Sequence, residues 1–366
     1  MPIYMDVHFV PGADARGVAE AHRMDLQIEQ EHQCKCLTYW IDEQRESVFC
    51  LIDAPTEHAV NEMHKSSHGL IPHKIIEVNR NLVGAFLGRL FDPEETEVTS
   101  DGLKVFQDSS FRALVLIRIT DPVLLKHRLG NEKAQAVLAG YYSIIRDKLP
   151  FYQGREIEDK RTGILTSFSS AANAVSCALD VEKSLRESRT HLEGIKIAVN
   201  AGLPVGKSDE LFGEAIQLAQ YMCEVVHPSP ILISSEVGEL ISKDLTPDLI
   251  QRITTLSPHD ETFLATLYQQ LEENFSDPGF DVSKLSKAIA MSKSQLYRRS
   301  MDVVGVSPVI LLKQFRLRKA RELMRTRHES ISQITFVSGF TSPSYFTKCF
   351  KQEYGLLPMT YVDLVQ

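Results

Sequence analysis

No apolar run in this chain approaches the ~18 consecutive residues that cross a bilayer as a helix, so a membrane-spanning protein is not expected. The N-terminus MPIYMDVHFV has no basic leader segment and carries Asp6 and His8 inside its apolar stretch, which argues against a secretory signal. Cysteine is sparse and scattered. The six residues at positions 34, 36, 50, 177, 223 and 349 lack the spacing of a disulfide scaffold, so a reducing cytoplasm is the expected compartment.

What is present is an ordinary soluble composition, 43% hydrophobic and 24% charged, on a 366-residue chain too long for one typical core. Charge and histidine are unevenly spread. From Pro258 onward 14 Lys and Arg face 11 Asp and Glu, a balance of +3 that leaves −11 for the remainder. Seven of the 12 histidines (8, 22, 32, 58, 64, 68 and 73) precede residue 75. An acidic, His-rich front and a basic tail predict different partners at the two ends.

Periodicity divides the chain into four parts. Residues 1–79 read strand, helix, strand, strand, helix, strand, the order of a ferredoxin-like α+β sandwich. Residues 80–110 lack a sustained period and read as a linker with one short helix. Residues 111–257 alternate buried-type strands (RALVLIRIT, IKIAVNAG, PILISS) with long helices, among them one from Pro122 to Leu149, and predict an α/β domain. From 258 to 366 no strand pattern survives, which predicts a compact all-α unit.

That last unit holds two helix–turn–helix patterns, VSKLSKAIAMSKSQLYRRSMDVVGVSP and ISQITFVSGFTSPSYFTKCFKQEYGLLP, with turns read at Met291-Ser292 and Gly339-Phe340. Each second helix opens on Ser or Thr, an N-cap that also sets short polar side chains where a groove-inserted helix meets bases. The motifs RL..A..LM and GF.SPSYF.K.FK..YG..P resemble the AraC/XylS transcription regulators over roughly the last 105 residues, with Val362 where the family usually has Arg. The resemblance implies that two recognition helices enter double-stranded DNA, with Ser292, Gln295, Arg298 and Arg299 on the first and Ser342, Ser344, Thr347 and Lys348 on the second. Arg and Gln can read base edges, whereas Lys348 suits a phosphate. A lone basic helix would more often be a solvated face; two tandem motifs reverse that balance.

In the middle part, RLGNEKAQAVL, GREIEDKRTGILTSFSSAANAVSCAL, IAVNAGLPVG and FGEAIQLAQYM…ILISSEV resemble class III nucleotide cyclases in order and spacing. Such enzymes need two carboxylates for metal and an Asn/Arg pair for the nucleotide. The resemblance places those four positions at Arg118, Thr162, Gln217 and Tyr221. The metal carboxylates and the transition-state arginine are thus absent, and no enzyme is expected. Asp121 and Asp159 lie nearby but are expected to point elsewhere. The resemblance implies a scaffold that pairs face to face as a homodimer, with a small-molecule ligand at the resulting cleft as a further reading.

The front of the chain gathers borderline metal donors. His64 and His68, at i and i+4, put two imidazoles on one helical face, and His22 lies one turn from Val18 and Leu26. His8 and Cys50 lie mid-strand. Imidazole with thiolate suits Zn, Ni, Cu or Fe better than Mg or Ca. One core histidine or cysteine is usually structural; five within 80 positions favour a site. The pattern DVHFV…AH..D…YW…FCLIDAP…MHKSSHGLIP..IIEV resembles a small ferredoxin-like family described as nickel-binding, over residues 1–78. The resemblance implies nickel on His8, His22, Cys50, His64 and His68, with Asp25 and Tyr39 orienting imidazoles; the ligand types admit Zn, Fe or Cu as well. The expectation is a metal-modulated transcription regulator. The rivals are a regulator that senses an organic ligand or nucleotide in the cyclase-like cleft around a structural metal, and an enzyme with residual nucleotide or redox chemistry.

Overall fold

The computed structural model describes residues 1–119, 121–157, 163–188, 195–226, 229–242, 252–326 and 329–365. Thr162 and Asp159 lie outside the described residues.

The first unit runs β1 (Ile3–Phe9), α1 (Ala15–Ile28), β2 (Lys35–Asp42), β3 (Ser47–Asp53), α2 (Glu57–Ser67) and β4 (Lys74–Val78). The strands form one antiparallel sheet in the order β2-β3-β1-β4. Asp14 and Thr56 start the two helices by accepting from the Gly17 and Ala59 N–H groups.

Residues 80–110 depart from the linker expectation. They form α3 (Arg80–Leu87), closed by Gly88 in the left-handed region, and a hairpin of β5 (Glu97–Val98) and β6 (Lys104–Val105). Val83, Phe86 and Leu87 are buried, as are Leu103 and Phe106 beyond them. The buried Arg112 guanidinium donates to the Phe86 and Leu87 carbonyls and ties the end of α3 to the next sheet.

That sheet holds β7 (Arg112–Arg118), β8 (Arg155–Ile157), β9 (Ile164–Phe168), β10 (Lys196–Gly202), β11 (Ile231–Ile233) and β12 (Ile253–Thr255), in the order β12-β11-β10-β7-β9-β8. Its helices are α4 (Pro122–Leu129), α5 (Asn131–Lys148), α6 (Ala171–Glu187), α7 (Gly213–Met222) and α8 (Ser235–Leu240). The single helix expected from Pro122 to Leu149 is broken at Gly130, whose φ of 79° and ψ of 161° cannot continue a helix. Along β7 the side chains alternate between two cores. Ala113, Val115 and Ile117 meet α5 and α6, whereas Leu114 and Leu116 join an apolar core shared with Phe86, Phe212 and Tyr221.

The all-α unit comprises α9 (Pro258–Asn274), α10 (Val282–Ala288), α11 (Lys293–Val303), α12 (Pro308–Thr326), α13 (Ile331–Val337), α14 (Pro343–Tyr354) and α15 (Pro358–Val365). Its two helix–turn–helix units are α10–α11 and α13–α14. The first turn is centred on Ala290, at a φ of 55°, one residue ahead of the expected Met291-Ser292. In the second, Gly339 takes a φ of 81°, and a Cβ there would collide with the Phe275 carbonyl at the end of α9. Only glycine fits that approach.

The unit is packed against the middle sheet. Phe263, Leu264, Leu267 and Tyr268 of α9 enter the core that holds Phe86, Phe212 and Tyr221. The face expected to pair with a second copy is therefore covered by the same chain. Arg118, Gln217 and Tyr221, the positions assigned to the cleft, line a cavity of about 930 Å³ whose other wall includes Glu272, Arg318 and Glu322.

If 80–110 is integral to the fold, Phe86→Ala removes a ring stacked on Phe212 at 4.8 Å and costs about 3–5 kcal/mol in urea unfolding of the full chain. A loss within the error of the measurement would return this stretch to a linker.

Candidate metal centre and nucleic-acid interface

Asp6 and His8 are two residues apart on β1, so both project from one sheet face. The β1–β3 register sets Cys50 opposite Asp6, and the Cys50 N–H donates to Asp6 Oδ1 at 3.1 Å. Helix α2 lowers His64 onto this face, with Nε2 2.9 Å from Asp6 Oδ2. The other nitrogen, Nδ1, lies 3.3 Å from Asp25 Oδ2 and 3.1 Å from His68 Nε2. His68 in turn lies 3.2 Å from Asp25 Oδ1. Two donor sets result, Asp6/His8/Cys50/His64 and Asp25/His64/His68, each with its donor atoms within 4.8 Å of one another.

The burial is unusual for ionisable groups. Asp6 and His64 are 0% exposed, Asp25 2% and His8 4%. Burial opposes the charged form of His64, but Asp6 and Asp25 outweigh it and hold its pKa at about 10. Burial likewise opposes charge on both carboxylates, yet His8 and His64 hold Asp6, and His64 and His68 hold Asp25, well below the usual range. Burial, then the fields of Asp6 and Asp25, push the Cys50 thiol well above its ordinary value. The metal-free cluster is thus an imidazolium between two carboxylates. His8 Nε2, 3.4 Å from Asp6 Oδ1, and Asp25 Oδ1, 3.2 Å from His68 Nε2, lie in ion-pair range but make no well-aligned hydrogen bond. Buried nitrogen, carboxylate and thiol donors with spare lone pairs fit a transition-metal dication.

The expected residues fall in different places. His8, Cys50, His64 and His68 converge. Asp25, expected to orient an imidazole, lies among the donors themselves. His22 belongs to neither donor set; its Nε2 lies 3.4 Å from Asp92, and its ring lies 5.1 Å from Tyr39, which stacks on Phe106. Asp6 was missed. The signal for it was an acid two residues from His8, which strand alternation puts on the same face as the imidazole.

On α11, Ser292 and Gln295 form a reciprocal capping box while remaining exposed, and Arg298 is exposed. Arg299 is not presented outward: its guanidinium lies 2.7 Å from Asp260 and over the Phe263 ring. On α14, Ser342 caps the helix through the Tyr345 N–H, Ser344 and Lys348 are exposed, and Thr347 is half-buried. Sequence reasoning passed over Tyr297 and Tyr345, 53% and 55% exposed on the two helices. Each sits next to a core position (Leu296, Phe346), which marks it as outward-facing.

In the middle sheet Arg118 pairs with Glu224, which also pairs with Arg318 of α12. Tyr221 stacks on Tyr268 at 4.8 Å, and its hydroxyl lies 3.3 Å from Glu272. Asp121 caps α4 and holds Arg321 (3.1 Å), Arg325 (2.6 Å) and the Tyr361 hydroxyl (3.0 Å). The arginines of RLRKARELMRTR at 318, 321 and 325 thus serve the domain junction.

The raised His64 and lowered carboxylates fix a sign. Stability from His64 is fully present below its ordinary value near 6.5 and is lost as pH rises toward 10. Stability from Asp6 and Asp25 is present above about 4 and is lost on acidification. Metal-free wild type should lose stability in urea as pH rises from about 6.5 to 10. His64→Gln should be weaker by about 3–5 kcal/mol at pH 7, because two buried carboxylates lose their counter-charge, and flat over that range. Equal slopes for the two proteins would remove the imidazolium from the account.

Residues 4–78 match the family described as Nickel responsive protein SCO4226-like, and residues 285–363 the family described as Helix-turn-helix domain. A stretch of 120 residues is 32% identical to Histidine kinase P4 of Formosa agariphila, covering 33% of this chain and 8% of that protein. Another of 82 residues is 33% identical to the HTH-type transcriptional regulator MtrA of Neisseria gonorrhoeae, covering 22% of this chain and 27% of that protein. The solved structure of SCO4226 from Streptomyces coelicolor A3(2) is 28% identical, with a TM-score of 0.20, over 21% of this chain and 94% of that one. The chain spans from 8% to 46% of the length of the first curated relatives it matches. Residues 4–78 are thus similar to the SCO4226-like family, described as nickel responsive, and residues 285–363 to the helix-turn-helix domains of transcriptional regulators.

Proposed function

We propose that this chain is a transcription regulator that binds double-stranded DNA through α11 and α14 and whose DNA affinity is set by a transition metal, nickel favoured, held in the N-terminal domain. The observation that carries the reading is the buried Asp6–His8–Cys50–His64 and Asp25–His64–His68 cluster, in a domain whose sheet shares one apolar core with α9, α10, α11 and the first half of α12. Ligand type favours a borderline metal, and the name of the matched family favours nickel among them.

The route from metal to DNA is physical. Lys74 at the edge of the first sheet donates to the Lys207 and Ser208 carbonyls at 2.6 and 2.7 Å and pairs with Asp209. This loop leads into α7, and just beyond α7 Glu224 is gripped by Arg118 and by Arg318 of the helix that joins the two helix–turn–helix units. A metal held by Asp6, His8, Asp25, Cys50, His64 and His68 would displace the His64 proton and join β1, β3, α1 and α2, and β4 would carry the change to the second sheet. The middle domain, in the frame of a cyclase without its carboxylates, acts as the scaffold between sensor and reader. A second reading, in which an organic ligand or nucleotide is the signal and the metal is structural, is favoured only by the cavity of about 930 Å³ beside Arg118 and Arg318.

Operator binding by metal-free protein, nickel-loaded protein and a His64→Ala/His68→Ala variant tests this. Nickel should shift wild-type affinity about 5–150-fold, the ordinary range of coupling between sites, and leave the variant unmoved. Tight nickel uptake with equal DNA affinity in all three would make the metal structural. Salt dependence separates two neighbouring arginines. Arg298→Ala should reduce the slope of log K against log[salt] by about 1 per subunit. Arg299→Ala, which breaks an intramolecular pair, should lower stability and leave the slope alone. The reverse pattern would exchange their roles.

A further inference from the structure

The donor cluster opens on one side into a chamber of about 270 Å³. His8, Asp25, Cys50 and His68 form its inner end, and Val18, Ala21 and Leu70 are among the apolar residues along it. Leu70, 44% exposed, and the exposed turn at Pro11–Gly12 lie toward solvent. Packed cores leave few voids larger than a water molecule, and this chamber lies directly against buried imidazole, carboxylate and thiol groups. His8 Nε2 and Asp25 Oδ1, on side chains at least nine-tenths buried, make no well-aligned hydrogen bond, their nearest polar neighbours being Asp6 Oδ1 at 3.4 Å and His68 Nε2 at 3.2 Å, and with Tyr39 both residues line this space.

The chamber limits what can enter. An apolar cavity of about 150 Å³ accepts benzene, so this one has room for a ring with a short extension. Its walls reward an apolar body. Its inner end already holds the Asp25 carboxylate, with Asp6 behind it, and these oppose an anionic head group, whereas a borderline metal accepts a neutral nitrogen or a sulfur.

We propose that this chamber binds a small, uncharged, largely apolar molecule bearing one nitrogen or sulfur donor, with the donor on the metal and the apolar body against Val18, Ala21 and Leu70. The inference rests on the metal reading above. On this account the protein responds to a metal together with a small organic ligand.

The test uses the nickel-loaded full chain, titrated with 4-phenylimidazole and with imidazole, following the visible absorption bands of the metal. Phenylimidazole should give a saturable spectral change at concentrations at least ~10-fold lower than imidazole, which has the same donor and no apolar body. Ala21→Phe, which fills the chamber, should weaken phenylimidazole at least ~10-fold while nickel content by elemental analysis stays unchanged. Leu70→Trp does the same from the solvent end, at a position where folding is not at stake. Nickel bound with no spectral response, with no preference over imidazole, or with equal binding to both variants overturns the chamber and leaves the metal reading standing. A chain that takes up no nickel, zinc, iron or copper overturns both.

Discussion

One apolar core runs through all three parts of this molecule and constrains the rest. Phe86 of α3 stacks on Phe212 ahead of α7, Tyr221 of α7 stacks on Tyr268 of α9, and Tyr268 approaches Phe315 of α12 at 6.3 Å. Aromatic pairs of this kind favour defined geometries, and interiors packed like organic crystals transmit a displacement instead of absorbing it. The ion pairs around Glu224 and Asp121 then select one orientation of that packing. Asp121 is a middle-domain residue whose carboxylate is shared among Arg321, Arg325 and Tyr361 of the DNA-binding unit. The two helix–turn–helix units are therefore held by a scaffold as well as by the helix between them.

The metal cluster obeys the complementary constraint. Buried carboxylates must be paired, and without metal the pairing falls to the His64 imidazolium, wedged between Asp6 and Asp25. A dication can take over that role only by expelling protons, so metal affinity and pH are linked, and the linkage extends above neutrality because His64 is held at about 10. Ligation joins two strands to two helices.

Much of this was legible in the sequence, for identifiable reasons. The His64/His68 spacing, the strand and helix order of the first unit and the two helix–turn–helix patterns are local signals, carried by periodicity and capping residues. What was not legible depends on partners distant in sequence. Arg299 reads as a DNA contact until Asp260, 39 positions earlier, is seen beside it. Residues 80–110 read as a linker because their apolar residues serve two separate cores, Val83, Phe86 and Leu87 one and Leu103 and Phe106 the other, and share no single period. Gly130 was passed over because one glycine inside an amphipathic run is commonly tolerated. Asp25 changed role because α1 turns it toward His64 and His68, while His22, three residues earlier, meets Asp92 and Tyr39.

The central claim is that sensor, scaffold and reader respond as one body. Amide hydrogen exchange of the full chain with and without nickel tests it most directly. The account predicts that nickel slows exchange in β1, β3 and α2 and also in α7, α9 and α12, far from the metal. Protection confined to residues 1–79 would show that the shared core does not carry the signal, and would contradict the account.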